Sequence, residues 1–167
     1  MVTALRDARA VAETVTDPEL PMLTLADLGV LREVSESGGT VIVSITPTYS
    51  GCPAMDTMRD DLVHALHAAG YDEVEVRTVL HPPWSTDWIS EAGRRKLADA
   101  GIAPPGDAPA ARPGPVPLTL GPTVRRVRCP RCGSAETEEL SRFSATACKA
   151  LHRCRACAEP FEHMKEL

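Results

Sequence analysis

Residues 28–46 read Leu28-Gly-Val-Leu-Arg-Glu-Val-Ser-Glu-Ser-Gly-Gly-Thr-Val-Ile-Val-Ser-Ile-Thr46. Two runs rich in β-branched residues, 28–34 and 40–46, flank the turn-forming segment 35–39. Runs of this kind on either side of a Gly-containing turn are typical of a β-hairpin. We therefore expect two antiparallel strands here, and the rest of the first 100 residues must supply the elements that cover them.

Helical and extended patterns alternate on both sides of this hairpin. Apolar residues recur at helical spacing from Thr3 to Val15, and again from Pro53 to Gly70, where proline suits the first helical position and glycine the C-terminal cap. Residues 71–80 alternate as a third strand, and residues 89–100 predict a short helix. The order αββαβα predicts a small α+β domain over residues 1–100, with a mixed or antiparallel sheet.

The segment 101–122 separates two chemically different parts of the chain. It holds seven of the fifteen prolines, which excludes a helix or a central strand and indicates a linker. Residues 1–120 have a net charge of −8, whereas residues 121–167 have a net charge of +3. We therefore predict a second, smaller unit over residues 123–167.

Composition narrows the class of protein. Of the 167 residues, 43% are hydrophobic, too many for a disordered chain, and no apolar run approaches the ~18 residues of a membrane-spanning helix. Arg6, Asp7 and Arg9 interrupt the place where a secretory signal needs an apolar core. We expect a cytoplasmic protein with reduced cysteines and no membrane partner.

Two Cys-x-x-Cys pairs form the strongest chemical signal, Cys129-Pro-Arg-Cys132 and Cys154-Arg-Ala-Cys157. Two such turns facing each other supply the four thiolates of a closed, structural zinc site. The 21 residues between the pairs leave room for two strands, 138–143 and 150–154, as in a zinc ribbon. An iron–sulfur cluster also accepts four cysteines, but two separated knuckles on a ribbon favour zinc. Three further possible ligands, expected to be spectators of this closed site, are Cys148, His152 and His163.

Cys52 is the second candidate site. It lies between Gly51 and Pro53, at the start of the predicted helix, where the macrodipole and free amides favour a thiolate that can bind metal or act as a nucleophile. The alternative is that Cys52 is a small, buried core residue. The local sequence supports a functional thiolate and a core residue about equally. Trp84 and Trp88, which flank Ser85-Thr-Asp, are further candidates for covering a pocket or anchoring a partner. Phosphate loops, nucleophile elbows and dinucleotide fingerprints are absent from the sequence, so no complete catalytic constellation is present.

Four segments of the first 100 residues resemble the metal–sulfur cluster assembly domain of the SufT type: Asp17-Pro-Glu-Leu-Pro, Asp27-Leu-Gly-Val, Thr46-Pro-Thr-Tyr-Ser-Gly-Cys-Pro-Ala and Trp84-Ser-Thr-Asp-Trp. With the ribbon, including Ser144-Ala-Thr-Ala-Cys-Lys-Ala and Cys154-Arg-Ala-Cys-Ala-Glu-Pro-Phe, the whole chain resembles the PaaD family. The sequence departs from that pattern at Ser144-Ala145, where Gly-Ser is expected, and in the tail 162–165, which lacks the expected aromatic residues. These departures affect a partner surface of the ribbon and no zinc ligand.

The resemblance implies an accessory role in aerobic phenylacetate breakdown. It implies a maturation factor for iron–sulfur or di-iron centres of the phenylacetyl-CoA epoxidase or its reductase, which would be its partners together with iron–sulfur assembly machinery. It also implies that Cys52 contacts iron or a cluster transiently and that Glu19 supplies the acid of the Asp-Pro-Glu motif. On this basis the chain is expected to be a subunit or maturation factor and not an enzyme by itself.

Two other classes of function stay open at this point. One is an integral, non-catalytic subunit of the oxygenase, present at fixed stoichiometry. The other is a nucleic-acid-binding ribbon, suggested by Arg125, Arg126, Arg128 and Arg131. That surface needs interleaved aromatic residues for stacking, and residues 121–167 offer only Phe143 and Phe161, so a nucleic-acid partner is disfavoured.

Overall fold

The computed structural model describes residues 7–49, 51–106 and 126–166. Three α-helices and seven β-strands follow one another in these ranges, with a 3-10 turn at Thr86–Trp88 before the last helix. Their bounds, in chain order, are α1 Ala8–Ala12, β1 Leu31–Ser37, β2 Thr40–Ile45, α2 Met55–Ala68, β3 Glu73–Thr78, α3 Glu91–Asp99, β4 Ile102–Ala103, β5 Thr137–Ser141, β6 Lys149–Cys154 and β7 Pro160–Met164.

The first sheet has the order β1-β2-β3 and is mixed. Strands β1 and β2 are antiparallel, as predicted, and β3 runs parallel to β2 after the crossover through α2. Glycine is required at the hairpin because Gly38 and Gly39 have φ values of +59° and +89°, which ordinary L-residues rarely adopt. The side chains of Val41, Val43 and Ile45 alternate into the core of this half, which confirms the predicted α+β class.

The helices cover one face of this sheet. In α2 the apolar side chains of Met58, Leu62 and Leu66 are buried at helical spacing, and the predicted Gly70 ends the helix with φ +100°. Helix α1 is shorter than predicted: Asp7 caps it by accepting the Arg9 N–H, and it ends at Ala12 because the following residues enter a bridge between Thr16 and Thr24. The predicted cap Thr3 lies outside the described residues.

The second sheet has the order β4-β7-β6-β5. Strands β5 and β6 form the antiparallel pair predicted between the two cysteine knuckles, shifted by one or two residues. Strand β7, which the sequence analysis missed, adds antiparallel to β6, and Ile102 and Ala103 pair parallel with Glu162 and His163 of β7. The stretch predicted as a linker therefore begins with a paired strand, and its residues from 107 onward lie outside the described ranges.

The two halves share a core. Ile102 of β4 and Met164 of β7 belong to the same buried apolar cluster as Leu62, Leu66 and Trp84 of the first half. A smaller cluster, containing Cys129, Cys154 and Phe161, lies inside the ribbon. In the described part of the chain, no helix has the length and apolar character needed to cross a membrane. We call the region where β6 and β7 meet the first half the junction.

Candidate metal centre

Four cysteines converge at one end of the ribbon. The Sγ atoms of Cys129, Cys132, Cys154 and Cys157 all lie within 4.8 Å of one another. Turns position each pair: the Gly133 N–H donates to the Cys129 carbonyl at 2.9 Å, and the Cys154 N–H donates to the Glu159 carbonyl at 2.9 Å. Gly133 adopts φ +75°, which lets the first knuckle close without strain.

The sulfur positions fit zinc. Zinc–thiolate bonds of about 2.3 Å in a tetrahedron place neighbouring sulfurs about 3.8 Å apart. The structure has the Cys129 and Cys157 sulfurs 3.8 Å apart and the Cys132 and Cys154 sulfurs 3.6 Å apart. All four positions are supplied by the protein, so this site is closed and structural, and bound zinc would hold the two knuckles together.

Hydrogen bonds shift the pKa values of two thiols of this cluster in opposite directions. Backbone N–H groups of Cys157 and Ala156 lower the pKa of Cys154 to about 7. The Ser134 N–H lowers the pKa of Cys132, but hydrogen bonds with the neighbouring thiols, that of Cys154 above all, outweigh it and raise the pKa to about 12. Zinc binds thiolates, so binding of zinc at this cluster would displace the protons that the four thiols still carry.

The three other possible ligands lie outside the four-cysteine cluster. His152 and His163 are buried inside the ribbon, with their rings in edge-to-face contact at a centroid distance of 5.3 Å. His152 also stacks on Phe161, and burial lowers its pKa. Both histidines are core residues of the ribbon, while Cys148 lies at the junction.

Cys52 occupies the loop that precedes α2, half-buried against the core of the first half. Its N–H donates to the Tyr49 carbonyl at 3.3 Å, which closes a turn in the hydroxyl-rich loop. Helix α2 begins at Met55, two residues later than predicted, so Cys52 lies in the loop and not directly at the helix start.

The predicted thiolate character of Cys52 is wrong for the metal-free protein. Burial raises the pKa of Cys52 and outweighs the Ala54 N–H, which does favour the thiolate, and the carboxylates of Glu19 and Asp17 raise the pKa further. The helix start alone does not set the pKa of Cys52, because burial and the charges of two carboxylates from another loop oppose it. Cys52 is a neutral thiol until a cation replaces its proton.

Glu19 and Asp17 lie on the proline-locked turn that follows α1. Asp17 is 4% exposed, and its Oδ1 accepts the N–H groups of Glu19 and Leu20, each at 2.8 Å. Burial nevertheless raises the pKa of Asp17, and burial together with the Asp17 charge raises that of Glu19. The turn therefore carries one oriented, buried carboxyl and one more exposed carboxyl, and the charges of both raise the pKa of Cys52.

Lys149 of the ribbon acts electrostatically on the same two carboxyl groups, Asp17 and Glu19. Its ammonium is buried and lies 2.8 Å from Glu162 Oε2, and its charge counteracts the rise in the pKa values of Asp17 and Glu19. The sequence analysis missed this residue because nothing in the local pattern distinguishes a buried lysine from a surface one. The only available signal was its place directly after Cys148 in a segment on which the family resemblance rests.

The remaining motifs of the first half hold the fold together. Trp84 is buried and its Nε1–H donates to the Leu28 carbonyl at 2.8 Å, so it is a core residue. The Arg32 guanidinium lies 3.6 Å from the centre of the half-buried Trp88 ring. The Asp27 carboxylate accepts from Lys96 Nζ at 2.6 Å and from the Ser90 hydroxyl at 3.2 Å, which ties it to α3. These contacts give Trp84, Trp88 and Asp27 structural roles.

Comparison with known proteins agrees with this division of the chain. Residues 5–78 match the family model described as an iron–sulfur cluster assembly protein, and residues 113–165 match the PaaD zinc beta ribbon domain. A protein of Escherichia coli strain K12, named as a subunit of 1,2-phenylacetyl-CoA epoxidase, is 41% identical over 93% of this chain and 89% of its own length. This chain belongs to the PaaD family.

Other relatives of this PaaD-family chain match its first half. An Fe-S protein maturation auxiliary factor of Porphyromonas gingivalis is 33% identical over 50% of this chain and 81% of its own length. The crystal structure of a DUF59 domain from Bacillus anthracis superposes with a TM-score of 0.50 at 29% identity, covering 54% of this chain and 87% of that one. The ribbon is thus an addition to a domain that occurs in shorter proteins.

Proposed function

We propose that this protein is a cytoplasmic maturation factor of the phenylacetyl-CoA epoxidase system. It assists the assembly of an iron–sulfur or di-iron centre in the oxygenase or its reductase and has no catalytic activity of its own. Cys52 contacts the iron or cluster, and Glu19 lies next to the bound iron or cluster. The zinc ribbon gives the chain a fixed shape through its four-cysteine site.

One observation carries this proposal: a half-buried thiol in the loop before α2 has its pKa raised by burial and by the charges of two carboxyl groups from a separate loop. Thiolate and carboxylate together are ligands for iron, and two carboxyl groups attract a cation that displaces the thiol proton. In the described residues the four ribbon cysteines are the one group of three or more ligand atoms within 4.8 Å of one another. The Cys52 site therefore lacks a full protein cage, which suits a cargo that must leave again.

The relatives support the same assignment from two directions. The full-length relative is named as a subunit of phenylacetyl-CoA epoxidase, and the relative of the first half is named as a factor in Fe-S protein maturation. Partners are accordingly the oxygenase and reductase components, with the iron–sulfur assembly machinery as the source of cargo.

The test is complementation of cells that lack the wild-type protein. Cys52→Ser and Cys52→Ala should leave the fold and zinc content of the purified chain unchanged. The oxygenase and reductase should then accumulate with depleted iron and low ring-epoxidising activity. Asp56→Asn is the matched control, because it alters an exposed acidic residue of the first turn of α2 and should restore full activity. Full iron content and activity with both Cys52 variants would refute the transfer role.

An integral, non-catalytic subunit is the second candidate, favoured by the name of the full-length relative. The two are separated by purifying the active oxygenase from cells with a tagged oxygenase component. A maturation factor should be substoichiometric in the active complex, and the purified complex should keep its activity without it. A fixed ratio together with loss of activity on removal would favour the subunit.

A further inference from the structure

The loops that follow β2 and β3 leave the first sheet at the same edge. These two strands are parallel, and their register ends at the pair Ile45 and Thr78. The Val79 N–H still donates to the Ile45 carbonyl at 2.8 Å, so the two chains remain side by side where they leave the sheet. Residues 46–49 and 79–83 are therefore neighbouring loops, and we call them together the carboxyl edge.

The start of α2 is tied to this edge. Arg59, which begins the second turn of the helix, donates from Nη2 to the Thr78 hydroxyl at 3.0 Å. The Met55 N–H donates to the Cys52 carbonyl at 3.5 Å, which joins the Cys52 loop to the first turn. The loop that carries the half-buried Cys52 therefore leaves β2 at the carboxyl edge and enters a helix whose first turns are bonded to the end of β3.

The carboxyl edge exposes apolar side chains. Leu80 is 64% exposed, and the two prolines that follow it in the same loop, Pro82 and Pro83, are exposed as well. Pro47 of the neighbouring loop is only half-buried, and it lies two residues beyond the last register pair, as Leu80 does. A single exposed leucine is ordinary on a protein surface, whereas a leucine and three prolines on adjacent loops form an apolar patch. Such patches mark surfaces that bind another protein.

Negative charge accompanies this patch on the first two turns of α2. Asp56 forms an ion pair with Arg59 at 3.3 Å. Asp60 and Asp61 follow directly and add two exposed carboxylates. The sequence up to residue 120 has a net charge of −8, so the wider surface of this half has the same sign. Such a surface attracts a basic partner and repels an anionic one, such as an acidic membrane surface.

We propose that the carboxyl edge is the surface on which the protein that receives the iron or cluster docks, with Leu80 as the apolar anchor. The receiving protein presents an apolar recess surrounded by lysine or arginine side chains. This inference rests on the proposed function, because the receiver is the oxygenase or reductase component whose centre is assembled. A receiving site must come close to the Cys52 sulfur, and a partner seated on Leu80 covers the edge from which the Cys52 loop emerges.

The test measures binding of the full-length, zinc-loaded protein to the purified oxygenase and reductase components, each made in cells that lack this protein. Isothermal titration calorimetry should detect binding of the wild-type chain to one of them. Leu80→Glu places a charge in the apolar recess and should weaken the affinity by roughly 10- to 100-fold, because burial of a leucine side chain contributes that much. Since Leu80 is exposed, the zinc content and the far-UV circular dichroism of this variant should be those of the wild type.

Three further variants sharpen the test. Leu140→Glu, the matched control, changes a leucine of β5 in the ribbon that is 52% exposed, and it should leave the affinity unchanged. Leu80→Met keeps an apolar side chain of similar volume and should retain the affinity within about threefold. The double variant Asp60→Lys/Asp61→Lys should slow association and weaken its dependence on salt, because it removes the charges that attract a basic partner.

Three results would overturn the docking surface: a wild-type chain that binds neither component, a Leu80→Glu variant that binds as the wild type does, or an equal loss of affinity with Leu140→Glu. A wild-type dimer in sedimentation equilibrium that Leu80→Glu abolishes would make a second copy of this chain the occupant, and it would overturn the proposal as well.

Cys52→Ser separates this inference from the proposed function. It should bind the component with wild-type affinity and still leave the iron content of that component depleted. If Cys52→Ser depletes the iron while Leu80→Glu does not weaken binding, the docking surface fails and the proposed function stands. Full iron content with both Cys52 variants refutes the transfer role, and this inference fails with it.

Discussion

The shared core predicts that a substitution in the ribbon destabilises the helices of the first half. Met164 lies in β7 and is 1% exposed, yet it packs in the core that α2 covers. Met164→Ala removes three heavy atoms beyond Cβ, which at ~0.8 kcal/mol for each methylene-sized group lowers the free energy of unfolding by ~2.4 kcal/mol. The cavity left behind raises the cost toward ~5 kcal/mol. For a chain of 167 residues, this corresponds to a fall in Tm of roughly 5 to 20 °C.

The assay follows the two halves separately during thermal unfolding of the zinc-loaded protein. Far-UV circular dichroism reports on α1, α2 and α3, and zinc release, detected with a chromophoric chelator, reports on the ribbon. Met164→Ala should shift both transitions to lower temperature by a similar amount. Met55→Ala is the matched control, because Met55 is only half-buried against the same core and its truncation should cost about 1 kcal/mol. Earlier zinc release with an unchanged helical transition would show that the halves unfold independently and would refute the argument.

Three further outcomes are expected. Freshly purified protein should contain about one zinc per chain. Cys132→Ser should lose that zinc and the ribbon's structure and, because the two halves share a core, should also lower the temperature of the helical transition; metal analysis with a full complement in the variant would contradict this. Because the pKa of Cys52 lies above its ordinary value of 9.0, cobalt(II) binding by the Cys52 thiol should strengthen as pH rises from 6 to 8, by about tenfold per pH unit for the proton displaced. An affinity that does not depend on pH in equilibrium titrations would contradict it. Lys149→Met leaves the Glu162 carboxylate without its cation and should cost ~3–5 kcal/mol in denaturant unfolding at pH 7, with the double variant Lys149→Met/Glu162→Leu recovering much of the loss. Burial raises the pKa of Glu162, but the Lys149 ammonium, the Ser144 hydroxyl and the Ala145 N–H together lower it below its ordinary value of 4.5. The wild-type pair therefore stabilises the fold above pH 4.5, and the difference between wild type and Lys149→Met should shrink as the pH falls below that value.

Local sequence patterns were sufficient for much of the fold. The hairpin of β1 and β2, the limits of α2 and the two cysteine knuckles all follow from residues that are close in the chain. In each case turn residues such as Gly38 and Gly70 need a particular backbone conformation. The spacing of the apolar residues between the turns then determines whether a helix or a strand forms. The zinc site is predictable for the same reason, because each knuckle is complete within a few residues.

The junction could not be predicted in this way. Strand β4 has two residues, is followed by two prolines and becomes a strand only because β7 is there to pair with it. The contact between the ribbon and the first half depends on that pairing and on Met164, so no spacing in the sequence encodes it. The pKa of Cys52 was misjudged for a related reason: the helix start is local, but the carboxyl groups that oppose it come from the turn at Asp17 and Glu19.

The parallel pairing of β4 with β7 also orders events during biosynthesis. Strand β7 is the last described strand in chain order, so β4 waits for ~60 more residues to be translated, which takes about 3 to 12 seconds at 5–20 residues per second. During that interval the first half has emerged from the ribosome with Leu62, Leu66 and Trp84 but without Met164, which completes their core in the folded molecule. A nascent chain therefore lacks part of its apolar core until β7 has been translated. The first half reaches its full stability only in the finished chain.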